Sequence, residues 1–431
     1  MGKVSEKLAA IVIIPLLTGV LTQEQYGQLV LSYSFSSVYI VVVTSGLNTW
    51  LFNDFTKSNF NLTEKSLKTL SLLLITGTIG ITLLISIALY LFFFNTNGYN
   101  TLYLTVLTSV WFTLAMSFRS IYWVESKNTM YLALYQVAQA LIVLVSIWYF
   151  SSIGHLSQYT RPVTELICGF VITVVIIITI CREINLKWNT LKSGFRLIDL
   201  RRAYKFGFGA QSLQLTILLL FLSDRFIVQT WLGSESLAVY SVGSIFMAGT
   251  FVISAVIQNY TVIFNQTLRD KLSLNNLSKV NFRISVLSFL GVIVLKTLLF
   301  YFDNEIVILL TGKNADIYGS AKQVMWYSGD FLYITVLYYL YTRYHFFTEA
   351  LKKLNYMAII VLIFNVLISF ILIKFMGISG VMISSILSIG IMVGYAINYF
   401  ITNELSILVS KKLLVGSLLM LLTLNVCYEL F

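Results

Sequence analysis

The chain has 431 residues, 58% hydrophobic and only 11% charged, where an ordinary soluble domain carries about 25% charged residues. Its mean hydropathy of +0.85 excludes an ordinary soluble domain and defines a polytopic membrane protein. The formal charge of +11 does not imply nucleic acid as a partner, because the basic residues sit in short loops between apolar segments rather than on a binding face.

In chain order, spans are expected at about 8–22, 27–52, 67–94, 101–124, 129–150 and 162–182. A second set follows at about 205–232, 237–264, 283–302, 322–347, 355–375 and 378–401. A last segment, Leu413 to Cys427, is barely long enough to cross, since a spanning helix needs roughly 17 to 25 apolar residues. Whether it spans, and where the C-terminus lies, stays open. Met1 to Thr22 lacks a small-residue cleavage site and runs straight into a second span, so insertion is expected to use internal spans. Cys168, Cys181 and Cys427 lie in apolar segments and read as small packers, with no disulfide or zinc spacing.

Orientation follows from Lys and Arg. One set of alternate loops holds Lys3, Lys7, Lys57, Arg182, Arg201, Arg202, Lys279, Arg283, Lys352, Lys411, Lys412 and more, whereas the opposite set holds Arg161, Lys313, Lys322 and Lys374. That excess puts the first set and the N-terminus in the cytoplasm. Trp50, Trp123, Trp148, Trp231 and Trp326 fall near span ends, as an interfacial aromatic belt requires.

Between the sixth and seventh spans, Ile184, Trp188, Leu191, Phe195 and Ile198 recur at helical spacing among basic residues, which predicts an amphipathic helix on the membrane surface. The longest outward loop, Asp303 to Lys322, contains an apolar piece, Ile306 to Leu310, that is expected to dip toward the membrane. The fold class is therefore all-α and polytopic, with two six-helix halves (1–182 and 205–401) around a central cavity, a linker at 183–204 and a terminal segment at 402–431. The halves show traces of repetition. Leu21 to Glu24 lies over Leu232 to Glu235 in a shared span, turn, span layout, and Arg119 to Glu125 parallels Arg343 to Glu349. Two such halves commonly enclose a central site.

The stretch with the most chemistry runs from Tyr204 to Leu232, turns at Gly233 to Ser236 and returns as Leu237 to Phe264, carrying Asp224 and Arg225 into the membrane. One such residue at mid-helix costs roughly 2.5 to 3.5 kcal/mol. Neighbours at i and i+1 do not face each other, so both residues are expected to find partners elsewhere.

Ile14-Pro15 through Gln25-Tyr26-Gly27, Asp224-Arg225 through Tyr240-Ser241, and Gly377-Ile-Ser-Gly380 resemble motifs of bacterial polysaccharide repeat-unit flippases. These form the O-antigen transporter branch of the multidrug/oligosaccharidyl-lipid/polysaccharide exporter superfamily. The resemblance covers nearly the whole chain in span order. It implies a membrane transporter, not an enzyme, that moves a polyprenyl-pyrophosphate-linked oligosaccharide across the bacterial inner membrane by alternating access. It also implies membrane lipids and a polysaccharide polymerase complex as partners, no cofactor, and a proton or sodium as coupling ion.

An anionic, hydroxyl-rich substrate needs cations inside the membrane, and the planar fork of Arg suits phosphate oxygens. Arg225, Arg119, Arg343 and Lys296, with Asn48 and Asn259, are the candidate substrate-binding residues. For Arg119 and Arg343 a snorkelling role is the alternative, and for Lys296 a structural one. Asp224 and Asp330 are the candidate ion-coupling acids. Asp224 could instead neutralise a neighbouring cation, and Asp330, near the start of its span, is expected to be solvated. The polar Gln136, Gln139, Gln211 and Gln214 suit sugar hydroxyls or interhelical hydrogen bonds.

The competing readings are a multidrug or small-cation exporter of the same superfamily, whose cavity would favour acids, and a membrane glycan polymerase or glycosyltransferase. Against the latter, His155 and His345 stand alone, with no nucleophile or metal pattern nearby. No catalytic or metal-ligating residue is assigned.

Overall fold

The computed structural model describes residues 12–44, 77, 80–88, 102–110, 129–183, 197–247, 274–342, 351–402 and 409–430. Among them every regular element is helical. The long helices are α1 (Gln23–Thr44), α2 (Thr129–Ser152), α3 (Thr160–Glu183), α4 (Leu197–Gly243), α5 (Leu274–Thr311), α6 (Ala321–Thr342), α7 (Leu351–Thr402) and α8 (Lys411–Leu430). The chain divides into two compact units, Met1–Leu218 and Leu219–Phe431.

Local chemistry sets the ends and the breaks. Before α1, the Thr22 N–H donates to Gln25 Oε1 at 3.1 Å and the Gln25 N–H donates back to Thr22 Oγ1 at 3.2 Å. This reciprocal cap satisfies two backbone donors at the helix start. In α4 the helical path breaks at Gly233 (φ 84°, ψ 179°), and in α7 at Gly377 (φ 58°, ψ −137°). Both conformations lie in the region that glycine enters without a Cβ penalty. The expected turn after Leu232 and the expected boundary between spans at 375 and 378 fall on these two residues. Just beyond the second break, a Cβ on Gly380 would stand 2.4 Å from the Leu372 carbonyl oxygen, so the two arms of α7 meet there with no room for a side chain.

The outer surface is apolar. Leu141, Val145, Ile167, Phe170, Leu287, Leu290, Val294, Ile363, Leu367, Leu419 and Leu422 are large and exposed, the inverse of what water would select. Seven helical stretches among the described residues are long and apolar enough to cross a membrane. Within the second unit, α6 packs between α5 and α7 and is buried on nearly all sides, from Ala321 to Thr342. Serine and asparagine join its neighbours. Asn365 donates to Ser223 Oγ at 2.8 Å, Ser384 donates to Asn365 Oδ1 at 2.7 Å and Ser388 at 3.2 Å. One buried amide thus ties α4 to both arms of α7, as interhelical polar contacts do in lipid.

Four expectations change. The segment after Asp303 is helix to Thr311, after a break at Phe302, and then 3-10 helix from Gly312 to Tyr318, rather than a loop. Residues 197–204 are the first turns of α4, continuous with the seventh span rather than part of a separate surface helix; 184–196 lie outside the described residues. Trp326 is buried and does not belong to an interfacial belt, whereas Trp148 and Trp231 are exposed. Cys427 is exposed and so is not a packer, while Cys168 is buried. The last segment is a full helix of 20 residues, about 30 Å long at 1.5 Å per residue, which is enough to span.

Gly380→Ala should destabilise the protein by roughly 1 to 3 kcal/mol through overpacking against the Leu372 carbonyl. Gly416→Ala, where nothing stands within 4 Å of the added Cβ, should leave stability unchanged or slightly raised. Thermal unfolding of both variants in detergent checks the contrast.

Candidate functional site

Among the described residues, three sets of ionisable side chains lie inside the helical units. The first is the hairpin of α4. Asp224 is 1% exposed, and its Oδ2 accepts a short hydrogen bond from the hydroxyl of Tyr240, which is fully buried on the returning arm. Oδ1 accepts from the backbone N–H of Arg225 at 3.2 Å. The turn at Gly233 is what brings residue 240 back alongside residue 224. Arg225 itself is only partly buried, about 100° around the helix from Asp224. A cation and an acid thus share one turn, with the carboxylate held by a phenol from the other arm. Beside them an apolar pocket of about 360 Å³ lies between α4 and α7, lined by Ser223, Phe226, Ile227, Thr230, Val366 and Phe370 among others.

The second set pins three helices together. Lys296 on α5 and Asp330 on α6 are 1% and 3% exposed. The ammonium donates to Asp330 Oδ2 at 2.9 Å and to Asn425 Oδ1 at 2.5 Å, and Asn425 Nδ2 donates to the same carboxylate oxygen at 2.8 Å. Lys296 also lies 4.3 Å above the Trp326 ring, whose Nε1 donates to Asn425 Oδ1 at 2.8 Å. Asp330 Oδ1 has no hydrogen-bond partner among the described residues. Around this centre α8 is held further by Tyr428 stacked on Trp326, by Tyr327 donating to Glu429 at 2.7 Å, and by the Tyr333–Ser417 contact at 2.8 Å. The expectation of a solvated Asp330 is therefore wrong. Nine residues from the start of a helix is shallow only if the helix surface faces water, and α6 is enclosed by its neighbours.

The third set is in the first unit. Tyr33 on α1 donates to Glu165 Oε2 at 2.6 Å, and Arg161 Nε donates to Glu165 Oε1 at 2.9 Å. The guanidinium also sits 4.4 Å above the Tyr33 ring. By sequence alone Arg161 reads as a loop charge, with Glu165 four residues further on. The signal available was their i, i+4 spacing at the head of α3.

Arg119, Arg343, Asn48 and Asn259 lie outside the described residues, as do the side chains of Gln211 and Gln214. Gln136 and Gln139 are partly buried on α2. Asn425, the residue that completes the Lys296–Asp330 set, was not singled out; an amide in an otherwise apolar terminal segment was the clue.

Helices with lipid-compatible surfaces, broken hairpins and charges sequestered inside define a multi-pass helical membrane protein, and its fold is that of known transporters. It is similar to an inward-facing multidrug resistance MATE family transporter of the MOP superfamily, with TM-score 0.67, 15% identity, and 94% of this chain and 95% of that chain covered. It is also similar to the lipid II flippase MurJ in an inward closed conformation, with TM-score 0.68, 14% identity, and 99% and 92% covered. A MOP superfamily transporter from Pyrococcus furiosus matches with TM-score 0.66, 12% identity, and 94% and 93% covered. The chain belongs to the polysaccharide biosynthesis protein family, whose model matches residues 1–264. No curated protein matches the sequence directly.

Lys296→Met should cost roughly 3 to 5 kcal/mol, because it strands the buried Asp330 carboxylate. Combining it with Asp330→Leu should recover part of that loss, since an apolar pair needs no partner, while Asn425 Nδ2 loses the acceptor it has in Asp330. Unfolding of the single and double variants in detergent micelles measures both terms.

Proposed function

We propose that this protein is a flippase that carries a polyprenyl-pyrophosphate-linked oligosaccharide across the bacterial inner membrane. The observation that carries this reading is a conjunction: membership of a polysaccharide biosynthesis family together with a transporter fold over nearly the whole chain. One structure sharing that fold is described as a lipid II flippase. The substrate is a repeat unit of O-antigen or capsule type, moved from the cytoplasmic to the periplasmic leaflet. The N-terminus is cytoplasmic, in keeping with the placement of Lys and Arg. Transport proceeds by alternating access of two halves about a central site, and the product passes to a polysaccharide polymerase complex.

Within this scheme Arg225 binds the pyrophosphate. Arg225 lies within a span as a partly buried residue, and a guanidinium offers the bidentate geometry that phosphate oxygens accept. Arg119 and Arg343, with Asn48 and Asn259, extend the polar path. Asp224 is the coupling acid for a proton or sodium, poised by the Tyr240 hydroxyl. Asp330 is the second acid, and its attachment to Lys296 and Asn425 favours a role in holding α8 over one in ion exchange. Export of a drug or small cation is the rival reading, because the same fold serves multidrug transporters. A cationic cargo would be repelled by an arginine on its path.

Arg225→Ala should cut transport by about one to two orders of magnitude at limiting substrate, the equivalent of a charge-assisted contact of roughly 1.5 to 3 kcal/mol. Arg225→Lys should retain part of the activity, because charge remains while the fork is lost. Complementation of a flippase-null strain, scored by surface polysaccharide at matched levels of folded protein, is the test. Full complementation by Arg225→Ala at low expression would remove this arginine from the binding site. In the same assay Asp224→Asn should abolish dependence on the coupling-ion gradient, and an unchanged rate and gradient dependence would leave Asp224 as a charge partner alone.

A further inference from the structure

We infer that the second unit carries a separate site for the headgroup of an anionic phospholipid, in a pocket among the start of α5, the end of α6 and the start of α8. The pocket has a volume of about 450 Å³ and is lined by Ser278, Lys279, Phe282, Arg283, Ser285, Tyr341 and Ser410. That volume lies within the roughly 300 to 1,000 Å³ typical of ligand pockets.

Three features of the lining point to a bound anion. Lys279 and Arg283 stand at i and i+4, so both face the pocket from one side of α5. Like charges at that spacing repel and weaken a helix by a few tenths of a kcal/mol, a cost that an anion between them removes. No carboxylate lines the pocket among the described residues. Secondly, Ser410 precedes Lys411, the first residue of the 20-residue α8, and its carbonyl accepts the Leu414 N–H at 3.1 Å. The N-terminus of α8, with its outward-pointing N–H groups and partial positive charge, therefore opens on the pocket. Thirdly, Ser285 is 1% exposed and its Oγ has no hydrogen-bond partner among the described residues. A buried hydroxyl left unpaired costs about 1 to 3 kcal/mol, which an acceptor in the pocket offsets.

The surroundings select a lipid rather than a soluble anion. Phe282 is 47% exposed on the pocket rim, and the next outward-facing turns of α5 carry Leu287 and Leu290, so apolar surface continues away from the cationic mouth along the membrane. A phosphodiester with acyl chains matches both parts. These helix ends are the ones that the distribution of Lys and Arg assigns to the cytoplasm, with Lys412 exposed just beyond, and the cytoplasmic leaflet is where basic pockets meet anionic lipid. The pocket is separate from the Asp224–Arg225 turn, so lipid binding here is independent of substrate recognition there.

The test is native mass spectrometry of the purified full-length protein in detergent. It is titrated separately with phosphatidylglycerol, phosphatidylcholine, inorganic phosphate and a polyprenyl pyrophosphate. The wild type should bind phosphatidylglycerol in preference to phosphatidylcholine, and the Lys279→Ala/Arg283→Ala variant should bind it roughly 10- to 30-fold more weakly. Lys279→Arg/Arg283→Lys should keep the preference, and Ser285→Ala should weaken it several-fold, so the outcome does not depend on one variant folding. Equal binding of phosphatidylglycerol by the double alanine variant and the wild type would overturn the site. So would pocket-dependent binding of polyprenyl pyrophosphate, or of inorganic phosphate, without phosphatidylglycerol. Because binding is read without transport, a failed flippase assay leaves this result standing.

Discussion

A charge enclosed among apolar helices must meet another charge or a full set of hydrogen bonds, because the alternative is a desolvation cost of several kcal/mol per ion. In the second unit that requirement is met by Lys296 and Asp330, and the solution draws in Asn425 and Trp326. Three helices become one body through four side chains. The terminal helix α8 is thereby part of the unit, fixed by its hydrogen bonds, by the Trp326–Tyr428 stack and by the Tyr327–Glu429 bond. The same rule works at smaller scale elsewhere: Tyr240 supplies a donor to Asp224, and Glu165 gathers Arg161 and Tyr33.

The distribution of polarity follows from the solvent. Where the chain faces lipid it shows leucine, isoleucine, valine and phenylalanine, and where helices meet, buried serines and asparagines join leucine, valine and tyrosine. Apolar side chains gain nothing from leaving a hydrocarbon medium for a protein interior, so close packing and hydrogen bonds take over the work of association. The Asn365 network between α4 and α7, and the backbone approach permitted by Gly380, are the two means side by side.

Much of this was legible in the sequence because it rests on local rules. Among the described residues apolar length marked the membrane-length helices, and the glycines at 233 and 377 fell where the helical path breaks. Charge in a span gave Asp224, Arg225, Lys296 and Asp330 as residues needing an explanation. What was not legible depended on neighbours distant in sequence. Asp330 and Trp326 were read by their distance from the end of a span, which measures depth only for a helix facing solvent, and α6 is covered on nearly all sides. Asn425 could not be joined to Lys296, 129 residues away, by any periodicity. Residues 197–204 carry a mixed pattern that suits a surface helix as well as the first turns of a longer one, and continuity of the backbone decided it.

The proposed role of the embedded cation at Arg225 is to serve an anionic, lipid-linked sugar. Reconstitution of the purified protein into liposomes with a polyprenyl-pyrophosphate oligosaccharide in one leaflet tests it most directly. Arrival of sugar in the opposite leaflet is read with an impermeant lectin. Protein-dependent translocation should rise with an imposed proton or sodium gradient and be largely lost in Arg225→Ala. Absence of any translocation by well-folded protein under such a gradient, with export of a cationic dye from the same liposomes, would contradict it.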